Sequence, residues 1–174
     1  MSLIVIGAWA EKNENEPIIA LTVSKETALG FSLSATEDNL SIQIDWGDGT
    51  LTDKNINKAN TYIQGTPSGT KIIKIYADAT TIKELSLSYC SYLTEVDLSK
   101  CTALKKLSVK ECTKITTFIH PEDATTIESL TIDNSSIKNI DLHEWSGLKN
   151  LKYAPYGIST IVLPNEAEDL ESLV

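Results

Sequence analysis

The sequence predicts a mainly β chain: a small antiparallel sandwich packed on a short solenoid. Three observations carry this prediction. Cys90, Cys101 and Cys112 are evenly spaced, and each closes the same unit, apolar-x-x-apolar-x-apolar-x-x-Cys. The apolar anchors that open these units continue at nearly the same interval from Ile82 through Leu93, Leu104, Ile115, Ile127, Ile137, Leu148 and Ile158 to Leu170. Ahead of Ile82 the anchors stop, and short alternating runs separated by turn residues take over.

Each solenoid phrase is one strand. In Ile82-Lys-Glu-Leu85-Ser-Leu87 and Leu93-Thr-Glu-Val96-Asp-Leu98 the fourth and sixth positions are apolar and the fifth is polar. That is the period-2 alternation of a strand buried on one face. Alternate phrases form two series, Leu85, Leu107, Leu130, Leu151 and Leu173 against Val96, Phe118, Ile140 and Ile161, each advancing by two phrases at a time. The repeating unit is therefore a two-sided coil, and residues 82–174 hold about four of them. A repeat of this length and pattern is that of leucine-rich repeats, in which each coil needs neighbours to bury its apolar face. The cysteines, at the ninth position of the phrase, suit a buried ladder of unoxidised thiols. A Cys90–Cys112 disulfide is also within reach at one coil's spacing. Zinc is disfavoured, because Cys101 faces the opposite side of the coil and no CxxC or nearby His completes a tetrahedral set.

Residues 17–81 contain the runs Ile18–Val23, Gly30–Ser34, Leu40–Trp46 and Lys71–Tyr76, which predict the sandwich. It is small enough to need support from the first coil. Its sharpest signal is Ile44-Asp-Trp46-Gly-Asp48-Gly-Thr50, a strand running into a tight Asp-Gly turn. This segment resembles the signature of PKD domains, an immunoglobulin-like family with a Trp-x-Phe-Gly-Asp-Gly type of motif, although here Trp46 runs straight into Gly47. Together with the cysteine-closed phrases, residues 17–174 resemble bacterial surface proteins in which a PKD-like module precedes BspA-like or internalin-type leucine-rich repeats. The resemblance implies an extracellular or cell-surface location and a recognition scaffold whose ligand is set by surface residues.

Charge and chemistry narrow the function. The net charge is −9, with about −4 in residues 1–81, none in 82–126 and about −5 in 127–174, and the chain has no Arg. Nucleic acid and anionic membrane surfaces are poor partners for such a chain. His143 with Asp141 or Glu144 offers a base and an orienter, yet no nucleophile elbow or phosphate loop accompanies them, so no catalytic residue is assigned. Asp45, Asp48 and Asp53 are hard oxygen donors in one turn, but their spacing matches no EF-hand; they read as turn formers, and no metal or cofactor is assigned.

A ligand surface is predicted on the outward positions of the Leu85 series. Its candidate residues are Ser86 and Ser88, then Lys106, Ser108 and Lys110, then Thr131 and Asp133, then Asn150 and Lys152, flanked by Tyr89 and Tyr156. Tyr92 and Trp145 are further turn aromatics that could stack on sugar rings or on a protein. The expected function is a noncatalytic recognition or adhesion module for a host or neighbour protein or glycan. The alternative is a structural spacer or assembly segment. Met1–Ala10 is too short to span a membrane; Ala8-Trp9-Ala10 matches a small-x-small cleavage pattern without a charged n-region, so the segment reads as an edge strand or leader remnant, or as the truncated end of a genuine secretory signal, and residues 11–16 as a linker. Leu170–Val174 opens a phrase without closing it, which reads as a chain cut short or a surface that meets a partner.

Overall fold

A computed structural model describes residues 16–121, 124–157, 159–165 and 172–173. The leader-like start, nearly all of the linker and the opening of the last phrase at Leu170 lie outside these residues. Among the described residues the chain is mainly β, with no helix.

Six strands precede the repeats: β1 (Ile19–Val23), β2 (Leu29–Ala35), β3 (Leu40–Asp45), β4 (Leu51–Ile56), β5 (Thr61–Gly65) and β6 (Ile72–Tyr76). The repeats then supply β7 (Ile82–Ser88), β8 (Leu93–Asp97), β9 (Lys106–Lys110), β10 (Thr117–Ile119), β11 (Ser129–Asp133), β12 (Asn139–Asp141), β13 (Asn150–Ala154), β14 (Thr160–Val162) and β15 (Ser172–Leu173). Odd-numbered repeat strands stack in a front sheet of order β15-β13-β11-β9-β7-β2-β5. A back sheet has the order β10-β8-β1-β6-β3-β4, and β12 and β14 pair separately.

The two apolar series stack in the predicted register. Leu85 lies beside Leu107, Leu107 beside Leu130, Leu130 beside Leu151 and Leu151 beside Leu173, all in parallel pairs. On the other side Val96 lies beside Phe118, and Ile140 beside Ile161. The result is a β-solenoid of about three turns, one fewer than the spacing predicts. Its last strands shorten to three and two residues.

The solenoid walls continue directly into the first strands. β1 pairs antiparallel with β6 on one side and β8 on the other; β2 likewise pairs with β5 and β7. The polarity change costs nothing at the seam, because each strand satisfies its outward N–H and C=O groups on the next. One buried apolar cluster runs accordingly from Ile18 to Leu151 across the seam.

The turns explain the cysteines. Tyr89, Glu111 and Asn134 follow successive front strands and all have positive φ, at 59°, 55° and 46°. This swings the next residue inward, and those residues are Cys90, Cys112 and Ser135, all buried. All three cysteines are free thiols. Burial pushes Cys101 up to about 12; the side-chain hydrogen bond with Cys90, then burial, holds Cys112 above the ordinary thiol range. The hydrogen bond with Cys112 lowers Cys90 in turn, while Cys101 and Cys112, buried and held protonated, are packing groups rather than nucleophiles. Ser135 brings a hydroxyl to the same site, and its Oγ finds no hydrogen-bond partner.

Candidate functional site

The outward residues of the front sheet assemble into one strip that crosses the seam. Ser86, Ser108 and Thr131 stand in register, and Lys152 follows Thr131. In the other direction Ser32 of β2 lies beside Ser86, and Tyr62 of β5 beside Ser32. Sheet pleating alternates these residues with the buried leucines, so they share the outer face. Among the described residues, the hydroxyls of Ser32, Ser86, Ser108 and Thr131 make no hydrogen bond and are all half-buried.

Charged rows flank the hydroxyls. Glu84, Lys106, Ser129 and Asn150 form one edge; Ser88, Lys110, Asp133 and Ala154 form the other. Lys152 donates to Asp133 and forms an ion pair with it. Lys106 and Lys110 are exposed and have no ion pair among the described residues. At the seam the surface sinks into a cavity of about 320 Å³, lined by Ser32 of β2 and Asn60 of the β4–β5 connection and, from the repeats, by Glu84, Leu85, Ser86, Lys106, Ser108 and Lys110.

The structure therefore gathers Ser86, Ser88, Lys106, Ser108, Lys110, Thr131, Asp133, Asn150 and Lys152 on one face. It adds Ser32, Asn60 and Tyr62, whose position follows from the pairing of β2 on β7. The alternation of Gly30-Phe-Ser-Leu-Ser announces which side chains point outward, but no spacing rule tells which repeat strand they will meet. Tyr62 is 65% exposed, and its phenol end lies over Gly30, where a Cβ would come within 2.0 Å of the hydroxyl. Only glycine permits that approach.

The turn aromatics separate into two kinds. Tyr89 and Tyr156 are 78% and 70% exposed. Tyr92 is covered by two ammonium groups, with Lys25 and Lys114 lying 4.9 and 5.4 Å from its ring centre. Trp145, expected among the surface aromatics, is fully buried. It occupies the ninth position of the Ile137 phrase, the inward site that Cys101 fills two coils earlier, and packs edge-on against His120 with ring centres 5.6 Å apart.

The acidic residues singled out as metal or catalytic candidates are engaged within the fold, Asp45, Asp48 and Asp141 at turns and Asp53 not in the turn with Asp45 and Asp48 but within β4. Gly47 and Gly49 donate their N–H groups to Asp45 Oδ1 at 2.7 and 3.0 Å, and Thr50 donates to Asp48 at 2.8 Å. Gly47, at φ 105°, completes this turn. Gln43 donates to Asp53 at 2.9 Å. Asp141 Oδ1 accepts from the backbone N–H of His143 at 3.0 Å and contacts its Nδ1 at 2.8 Å. Asp97 and Ser99 form the same backbone contact at 2.9 Å, two coils earlier, so this is a repeated turn cap. The hydrogen bond to Asp141 raises the imidazole of His143, while the backbone donor lowers the carboxyl of Asp141.

What fold and face define together is a β-solenoid with a polar, unspent front. No family model, curated protein or solved structure matches the chain. Among the described residues no helix is long and apolar enough to cross a membrane.

Proposed function

We propose that the chain is a noncatalytic recognition or adhesion module of a bacterial surface protein, a PKD-like sandwich on leucine-rich repeats, that binds a protein or glycan through its front sheet. The observation that carries this reading is the strip of unspent hydroxyls and unpaired lysines, continuous over the seam. Such groups would otherwise be engaged within the fold, as the turn aspartates are. The module reading draws support from the Asp45 turn and from the buried stacking of the Leu85 series. Localisation outside the cell follows from the same resemblance.

The test is saturable binding to panels of glycans and of purified cell-surface proteins, compared with a Ser108→Arg variant that places a bulky cation in mid-strip. A panel hit lost in this variant is the expected result. Silence on both panels, or hits indifferent to Ser108→Arg, overturns the proposal. A spacer or assembly role draws on β4, an edge strand with five exposed residues out of six that could accept a further strand. Sedimentation showing only a monomer at high concentration would remove it.

A further inference from the structure

We infer that the seam cavity binds an acidic polysaccharide, with Tyr62 as the stacking platform and Lys106 and Lys110 as carboxylate anchors. The inference rests on the front sheet being a recognition surface and names its ligand class.

The first argument is the lining. A cavity of about 320 Å³ lies at the small end of ligand sites, which run from about 300 to 1,000 Å³. Most such sites are largely apolar; this one is walled by the hydroxyls of three serines, the amide of Asn60, the ammonium groups of Lys106 and Lys110 and the carboxylate of Glu84, with Leu85 as the one apolar residue lining it. Its chemistry suits a ligand that is itself covered in hydroxyls. The hydroxyls of Ser32, Ser86 and Ser108 each donate and accept, so they can meet sugar hydroxyls in either sense.

The second is charge. Elsewhere on the repeats Lys105 is paired with Glu128 at 2.9 Å and Lys152 with Asp133. Lys106 and Lys110 make no ion pair among the described residues, although Glu84 lies beside Lys106 and Asp133 beside Lys110; with Asp133 held by Lys152, the three lysines of this face outnumber its two carboxylates on a chain of net charge −9. The overall field repels polyanions, so attraction must come from these two groups rather than from general steering. They sit on one strand with Ser108 between them, roughly 13 Å apart at about 3.3 Å per residue. That span leaves room for sugar rings between two anchored carboxylates. Without a guanidinium fork, the site offers point charges, which suit a ring carboxylate among hydroxyls better than bidentate phosphate recognition.

The third is Tyr62. Its ring is mostly exposed although its phenol end is laid on Gly30. An aromatic held against a sheet beside a polar cavity presents a rigid amphipathic surface at little entropic cost.

The experiment is calorimetric titration of the intact chain with oligogalacturonate, its methyl ester and a sulfated heparin oligosaccharide. The expected result is saturable binding of oligogalacturonate, weakened at least about tenfold in the Lys106→Gln/Lys110→Gln double variant and several-fold in Tyr62→Ala, with the methyl ester at least about tenfold weaker. All variants should melt with the wild type, because the changed side chains are exposed. The inference is overturned if the ester binds equally, if the double variant binds as the wild type does, or if only the sulfated oligosaccharide binds. No oligogalacturonate binding alongside a panel hit abolished by Ser108→Arg would sink the ligand class and leave the recognition surface standing. Silence in both experiments would remove both.

Discussion

The front sheet runs unbroken through seven strands, whereas the back wall stops at β10 and resumes as the isolated pair β12 and β14. Both walls carry one apolar series at the same mean spacing, so periodicity does not account for the difference. The turns do. On the front, the inward sites after β7, β9 and β11 hold the similar-sized Cys90, Cys112 and Ser135, so successive coils can superpose. On the back, Cys101 gives way two coils later to the indole of Trp145, and the step between them from Ile115 to Ile127 is longer than the step from Leu104 to Ile115. The longer step falls in the connection between β10 and β12, where the hydrogen-bond ladder opens, and the bulky indole follows β12 on the far side of that break. Close-packed interiors transmit such mismatches rather than absorb them.

Paired truncations sharpen this contrast most. Leu107 is fully buried between Leu85 and Leu130, so Leu107→Ala should cost about 2–5 kcal/mol. Ile161, only partly buried on the interrupted side, should cost less than half as much on the same change. Urea unfolding midpoints would measure both, and equal losses would mean that the back wall is as tightly packed as the front.

A smaller, opposite effect is expected at Ser135. Replacing it by cysteine restores the front ladder and removes a buried hydroxyl without a partner, a defect worth about 1–3 kcal/mol. Ser135→Cys should therefore raise the melting temperature under reducing conditions. A drop would show that the serine site is shaped for oxygen.

The smallest effect concerns the back-wall turn. His143 is raised by Asp141, so its contribution is complete below the ordinary imidazole value of about 6.5 and is lost as pH rises through the raised folded value. Asp141 is lowered, so its contribution holds above the ordinary carboxylate value and is lost as pH falls through the depressed one. Thermal melts of His143→Gln across the neutral range should approach the wild-type curve at the alkaline end. A constant offset at every pH would assign the loss to packing.

The β class and the solenoid are legible in the sequence because period-2 alternation and the coil spacing specify which residues stack, and the Leu85 series pairs as read. The repeat half of the candidate face follows from it. Its other half does not, because Ser32, Asn60 and Tyr62 reach the face through pairings between strands far apart along the chain, such as Phe31 with Leu87. Trp145 reads as a surface aromatic by residue type and as an inward residue by its ninth position in the Ile137 phrase. Place in the repeat prevails, because the stacked coils leave that position no route to solvent.

The double pairing of β1 and β2 also has a bearing on biosynthesis. Ala20 finds its back-sheet partner at Asp97, so a chain emerging from the ribosome exposes an open edge on each sheet until the first coil has been made. Non-local pairing of this kind slows folding, and nascent edges left waiting are prone to capture by other chains. The earliest repeat is thus the one that shields the newborn protein, and slow translation across residues 82–97 would lengthen the interval of greatest risk.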